Sequence, residues 1–216
     1  MKRTILRRTG VAAAALALSF GLAACSDDPD STASASDDTS ASTPAETESS
    51  EASGAGAETF GAGCSAIPTS GKGSFDGMVT DPVATAASNN PLLKTLVAAV
   101  TEAGLVDTLN GAEALTVFAP TDDAFGKIPE KDLNAVLADK ETLTAILTHH
   151  VVGEQLDPSA IVGEHDSLNG DKVTVEGDTE AGMTVDGGAA NVICGNIPTA
   201  NATVYVIDSV LMPSGM

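Results

Sequence analysis

Tryptophan is absent from these 216 residues, and one tyrosine and five phenylalanines make up the whole aromatic complement. Proteins that grip single-stranded nucleic acid stack its bases on aromatic rings, and this chain has no such platform. Basic residues are scarce too: 10 Lys and Arg stand against 30 Asp and Glu, a net charge of −20. Lys2, Arg3, Arg7 and Arg8 crowd the N-terminus, and without those four the balance falls from −20 to −24. Such a charge repels nucleic acid and anionic lipid headgroups alike. No nucleic-acid partner is expected. The signatures G-x-S-x-G, H-E-x-x-H and the P-loop are all missing. Gly54, Gly56, Gly61 and Gly63 lie in a polar tract rather than between a strand and a helix, so they make no nucleotide fingerprint. No cofactor and no catalytic residue is expected.

What is present begins with the basic N-terminus and a short apolar run, Val11 to Leu22, broken only by Ser19 and Gly21. A bilayer-spanning helix needs about 20 apolar residues, so this run reads as a signal peptide over 1–24. It closes on Leu22-Ala23-Ala24-Cys25, which resembles a bacterial lipobox. That resemblance implies a diacylated Cys25 at the mature N-terminus, and two acyl chains suffice for stable anchoring. The cell membrane is then a partner through lipid, and the place is the outer face of that membrane. Shedding into the medium is the other possible fate.

From Ser26 to Gly63 the chain is Ser, Thr, Ala, Asp, Glu and Gly with only Pro29, Pro44 and Phe60 besides, and it has nine acidic residues and no basic one. Such a composition cannot offset its ordering entropy, so residues 25–63 are expected to form a disordered tether. O-linked sugars on its Ser/Thr tract and an unmodified linker are equally open. If Cys25 is lipidated, Cys64 and Cys194 remain, an even number in an exported chain, which favours a disulfide. The alternative is a pair of free buried thiols. A lone Cys pair without a third Cys or a His at ligand spacing is no metal site.

Residues 64–216 make one domain of ordinary size. The β-branched and aromatic Leu115–Phe118 predicts a buried strand, which Ala119-Pro120 ends. Thr121 follows as an N-cap, with Asp122 and Asp123 in the first helical turn and Phe125 turned back to the core. The two Asp lack the alternating oxygens of a calcium loop. Upstream, Asp81-Pro82 starts a short helix through Ala87. Asn90-Pro91 caps another, whose stripe is Leu92, Leu93, Leu96, Val97 and Val100, ending near Gly104. Leu105, Val106 and Leu109 continue the apolar pattern. Leu133, Val136 and Leu137 mark a further helix, and Leu143, Ile146, Leu147 and His150 another. Strands are expected at Val151-Val152, Ser167-Leu168, Val173 with Val175, Met183 with Val185, Val192 to Cys194, and Val204 to Leu211. Helices first and strands after predict an α+β domain.

Thr116–Phe125, TVFAPTDDAF, resembles the first signature of the fasciclin (FAS1) domain family. Leu147–Val152 and Val204–Pro213 resemble its later signatures in the right order, so the likeness spans nearly all that could fold. Within the family the chain is similar to the secreted and lipid-anchored antigens of mycobacteria and other actinobacteria. These have a cysteine ahead of the domain and one before the last strand, as Cys64 and Cys194 stand here. The resemblance implies a single wedge-shaped fasciclin β-sandwich with packed helices, and structural roles for Thr121, Phe125, His150 and Asp208. The family usually has Tyr-His where this chain has His149-His150.

His150 shares the apolar face of Leu143 and is expected as a hydrogen-bonded core residue; His149 is rotated off that face. Two adjacent histidines can respond to pH, but no partner that would make them a switch is visible in the sequence. Asp208, within an apolar run, needs a hydrogen-bonding partner. The sequon Asn201-Ala202-Thr203 reads as incidental. The expectation is therefore a non-enzymatic, monomeric, lipid-anchored surface protein that adheres to or recognises an unidentified extracellular protein or glycan. The alternative is an envelope carrier or sensor of a small apolar ligand such as a lipid.

Overall fold

The computed structural model describes residues 54–213; Cys25 and the leader lie outside them. Helices α1 (Phe75–Met78), α2 (Val83–Asn89), α3 (Lys94–Ala103) and α4 (Val106–Gly111) lead into strand β1 (Leu115–Pro120). Helices α5 (Asp122–Gly126), α6 (Glu130–Ala138) and α7 (Lys140–His149) follow. The rest is strand: β2 (Val151–Val152), β3 (Gly163–Asp166), β4 (Lys172–Asp178), β5 (Gly182–Val185), β6 (Ala190–Pro198) and β7 (Ala202–Ile207).

All seven strands join one sheet in the order β2-β1-β7-β6-β5-β4-β3. Only β1 and β7 run parallel, with Val117 opposite Val204 and Phe118 opposite Tyr205. Both strands are buried along their whole length, as a parallel pair covered on both faces should be. Two register shifts bend β6. Leu168 N–H then donates to the Val151 carbonyl at 2.7 Å and Ser167 bridges Val152, which nearly closes the sheet on itself. The expected α+β class holds, with the layers of the sandwich being parts of one continuous sheet.

Alternation along the strands divides the core in two. Val117, Ala119, Val204 and Val206 face the helices, where they meet Leu96, Leu109 and Leu147. Phe118, Tyr205 and Ile207 face inside the bent sheet, against Ile161, Val173 and Met183. Tyr205 is fully buried, and its hydroxyl donates to the Leu156 carbonyl at 3.1 Å.

Four sequence expectations need correction. The stretch from Gly54 to Gly63, ahead of the Cys64 boundary, is packed against the domain, so Gly54, Gly56, Gly61 and Gly63 belong to the fold rather than to a tether. Phe60 exchanges two backbone hydrogen bonds with Gly195 and packs its ring at a tilt against Tyr205, with centroids 6.3 Å apart. A Cβ on Gly195 would lie 2.3 Å from that ring, so the approach demands glycine. A lone phenylalanine in a polar tract gives no periodicity, which is why composition hid it.

The helix expected from Asn90 begins a turn later, at Lys94, because the Asn90 side chain is spent on a turn, accepting from Leu92 N–H at 3.0 Å. Asp122 then caps that helix from afar, accepting from Thr95 N–H at 2.7 Å. The last strand stops at Ile207 rather than Leu211, which puts Asp208 at its end. Finally, Ser167-Leu168 is a bridge and turn, and the true β3 is the polar Gly163–Asp166.

Candidate functional site

Helices α2, α3, α4 and α7 do not close over β1 and β2. Between them runs a groove of about 60 Å³ whose lining is apolar apart from Thr108, Thr148 and His150. Its form follows from the sequence. Gly104, at φ 76°, ends α3 in the left-handed conformation that glycine adopts freely, and the chain turns there to lay Leu105 and Val106 beside Val97. Leu168, 47% exposed, forms part of the opposite wall.

His150 lies under the groove, fully buried. Its Nδ1 donates to the Ile146 carbonyl at 2.8 Å and its Nε2 accepts from Leu211 N–H at 2.9 Å. That pair of bonds fixes one neutral tautomer. Burial, reinforced by the neighbouring His149 and opposed by the Ile146 carbonyl and Asp186, pulls its pKa down to about 4. With both nitrogens engaged, the ring offers the groove only carbon.

His149 is where sequence reasoning fails most. It is not a surface residue but is 1% exposed, with Asp171 Oδ1 2.8 Å from Nδ1 and Asp186 Oδ2 2.9 Å from Nε2. The two aspartates come from the β3–β4 and β5–β6 turns, 22 and 37 residues away in the chain. No local pattern could have paired them. Asp171 also accepts from the Ser167 hydroxyl and from Asn169 Nδ2. Burial disfavours its charge, but the bonds from Ser167, His149 and Asn169 prevail and hold the carboxyl down to about 2.

Ser167, Asp171 and His149 are the residue types of a hydrolytic triad in the wrong order. The hydroxyl donates to the carboxylate rather than to the imidazole, and His149 keeps no free nitrogen to take a proton. The arrangement is a structural link.

The remaining expected residues are placed as follows. Thr121 Oγ1 accepts from Ala124 N–H at 3.2 Å and caps α5, while Phe125 packs into the helical core. Asp208 accepts from Asn191 N–H at 2.8 Å and from Lys127 Nζ at 3.2 Å. Against burial, those bonds and others from the Asn191 amide and Ser209 lower its pKa to about 2. Cys64 and Cys194 are joined, their Cα atoms 4.8 Å apart. Asn201, the first residue of the sequon, has a structural role. Its Oδ1 caps α2 through Val83 N–H, and its Nδ2 donates to the Leu109 and Ala112 carbonyls. Among the described residues no cluster of three or more His, Cys, Asp or Glu is placed to hold a metal ion.

Fold and site together define an α+β domain in which His150, the titratable side chain at the groove, already has structural partners and the groove itself is apolar. The chain belongs to the fasciclin family, matching the fasciclin domain over residues 91–213. It is 47% identical over 164 residues to the cell surface glycolipoprotein MPB83 of Mycobacterium bovis, covering 72% of this chain and 73% of that one. It is 48% identical over 161 residues to the immunogenic protein MPT70 of Mycobacterium tuberculosis, covering 71% and 81%. A solved FAS1 domain pair from the insect cell adhesion molecule fasciclin I aligns with a TM-score of 0.48 at 24% identity, covering 56% of this chain and 45% of that one. This chain thus spans under half the length of that pair.

Proposed function

We propose that the protein is a non-catalytic, lipid-anchored module of the cell surface that adheres to or recognises a protein or glycan through its helical groove. The groove carries this reading. At about 60 Å³ it has room for a few waters or the tip of one apolar side chain, and its open, apolar lining suits a contact surface. The printed name of MPB83, a cell surface glycolipoprotein, agrees with the Leu22-Ala23-Ala24-Cys25 lipobox here. On this reading the acidic Ser/Thr/Ala stretch after Cys25 is a spacer that holds the domain off the membrane.

A second reading, carriage of a small apolar ligand such as a lipid, draws on the same lining, but requires the groove to widen. Anchor and contact are tested separately. Cys25→Ala is expected to move the protein from the membrane fraction to the medium, and retention would defeat the anchor. Val97→Asp, which sets a charge on the groove wall, is expected to abolish attachment of the bacterium to extracellular proteins and glycans while leaving the thermal melt unchanged. Undiminished attachment would remove the groove from the account.

A further inference from the structure

Two ionised carboxylates on the two nitrogens of one imidazole fit only one protonation state. A neutral ring has one donor and one acceptor, and a carboxylate only accepts. Neutral His149 would therefore set a lone pair against an aspartate oxygen at 2.8 or 2.9 Å. A protonated aspartate is no way out. Asp171 already receives the Ser167 hydroxyl and the Asn169 amide, and Asp186 receives Thr174 N–H at 3.2 Å. Both oxygens of Asp171 are thus taken by donors. Although Asp186 Oδ2 meets only the ring, a proton held between that oxygen and Nε2 goes to the imidazole, the stronger base of the two.

The groups that face the ring agree. From the β3–β4 turn comes Asp171, and from the β5–β6 turn Asp186. From α7 itself come the negative ends of its last carbonyls, which favour a cation. His150 stands edge-on 6.3 Å away, and its own two bonds keep it neutral. Lys172, next to Asp171, turns its ammonium to Asp166 at 2.6 Å.

We propose that His149 is a proton-held clasp: while its ring is an imidazolium it ties the end of α7 to the β3–β4 and β5–β6 turns, and loss of that proton frees both turns. Leu168 sits in the turn that Asp171 closes and lines the groove. The clasp therefore holds one groove wall, and alkali loosens it. That consequence rests on the groove being the contact surface; the clasp itself does not, and its test reads the ring alone.

With three histidines in the chain, the ring-nitrogen NMR spectrum of the full-length protein labelled with ¹⁵N-histidine is short enough to assign with His149→Gln and His165→Gln. The expected result is a His149 ring protonated on both nitrogens at neutral pH. As pH rises through its deprotonation, hydrogen exchange at the Leu168 and Thr174 amides, corrected for intrinsic rate, speeds up on the order of tenfold or more. The Leu211 amide, held by His150, stays protected. In Asp171→Asn/Asp186→Asn the ring is expected to be neutral at the same pH. If that variant does not fold, the wild-type titration decides alone. A neutral His149 at neutral pH, or a ring that titrates with no change in exchange, overturns the clasp.

Discussion

His149 and His150 are chain neighbours with opposite charge requirements, and the difference is set by what each nitrogen meets. His150 meets a carbonyl and an N–H, which fix it neutral, and burial lowers its pKa from 6.5 to about 4. The unfolded chain therefore takes up this proton first. The contribution of His150 is complete above pH 6.5 and is lost as pH falls toward 4. At 1.36 kcal/mol per unit, acidification to pH 4 should cost about 3 kcal/mol of stability from this residue. Urea unfolding of wild type and His150→Gln at pH 7 and pH 4 checks it: the variant starts less stable but loses less on acidification. Equal losses would contradict the assignment. Asp171 and Asp208, both lowered from 3.8 to about 2, contribute in full above pH 3.8 and lose that contribution only as pH falls from there toward 2. Of these residues the sequence showed that His150 lies on an apolar face and that Asp208, in an apolar run, needs a partner, but not which partner. The partners of His149 and Asp208 come from distant turns and strands, and hydrogen-bond geometry across such separations leaves no mark on local pattern.

Among the elements, β1 with its cap is the most legible. Its apolar run, Pro120 and Thr121 each act locally, so reading and structure agree to the residue at its start. By contrast β3 reads Gly-Glu-His-Asp and has no apolar face; it is a strand because β4 pairs with it along four residues. The helical layer is held to the sheet by Asn201, which bonds α2, α4 and the chain after α4 at once. At about 1 kcal/mol per hydrogen bond, Asn201→Ala should lower stability by about 3 kcal/mol, measured by denaturant melts. A change within 0.5 kcal/mol, the usual range for surface sites, would mean the staple is dispensable. With both atoms of its side-chain amide already bonded, Asn201 is a poor sugar acceptor. The strap around Phe60 is also testable: a domain beginning at Cys64 should melt lower than one beginning at Gly54, because Tyr205 loses its aromatic neighbour. Identical melts would show that the strap adds nothing.

At the scale of the whole molecule, a bent sheet that nearly closes leaves few strand edges, and four helices cover one face but stop short of sealing it. The Cys64–Cys194 bond links the short 3-10 helix Ala62–Ala66 to β6 across 130 residues. A loop of that length contributes at most about 5 kcal/mol in the chain-entropy picture. Replacing both cysteines with alanine should lower stability toward that limit in a urea titration, and an unchanged midpoint would contradict a structural role. Class and family were legible in the sequence because helices, strands and signature segments follow one another in order. The groove was not, since its walls come from four helices and a distant turn, and each wall residue alone looks like core.

On the proposed reading this domain offers its groove to a surface rather than enclosing a ligand. Mass spectrometry of the full-length protein purified from its host's envelope tests it most directly, by comparing the mass under native and denaturing conditions. Equal masses are predicted. A stoichiometric adduct present only in the native spectrum would contradict the claim, make the protein a carrier, and identify its cargo.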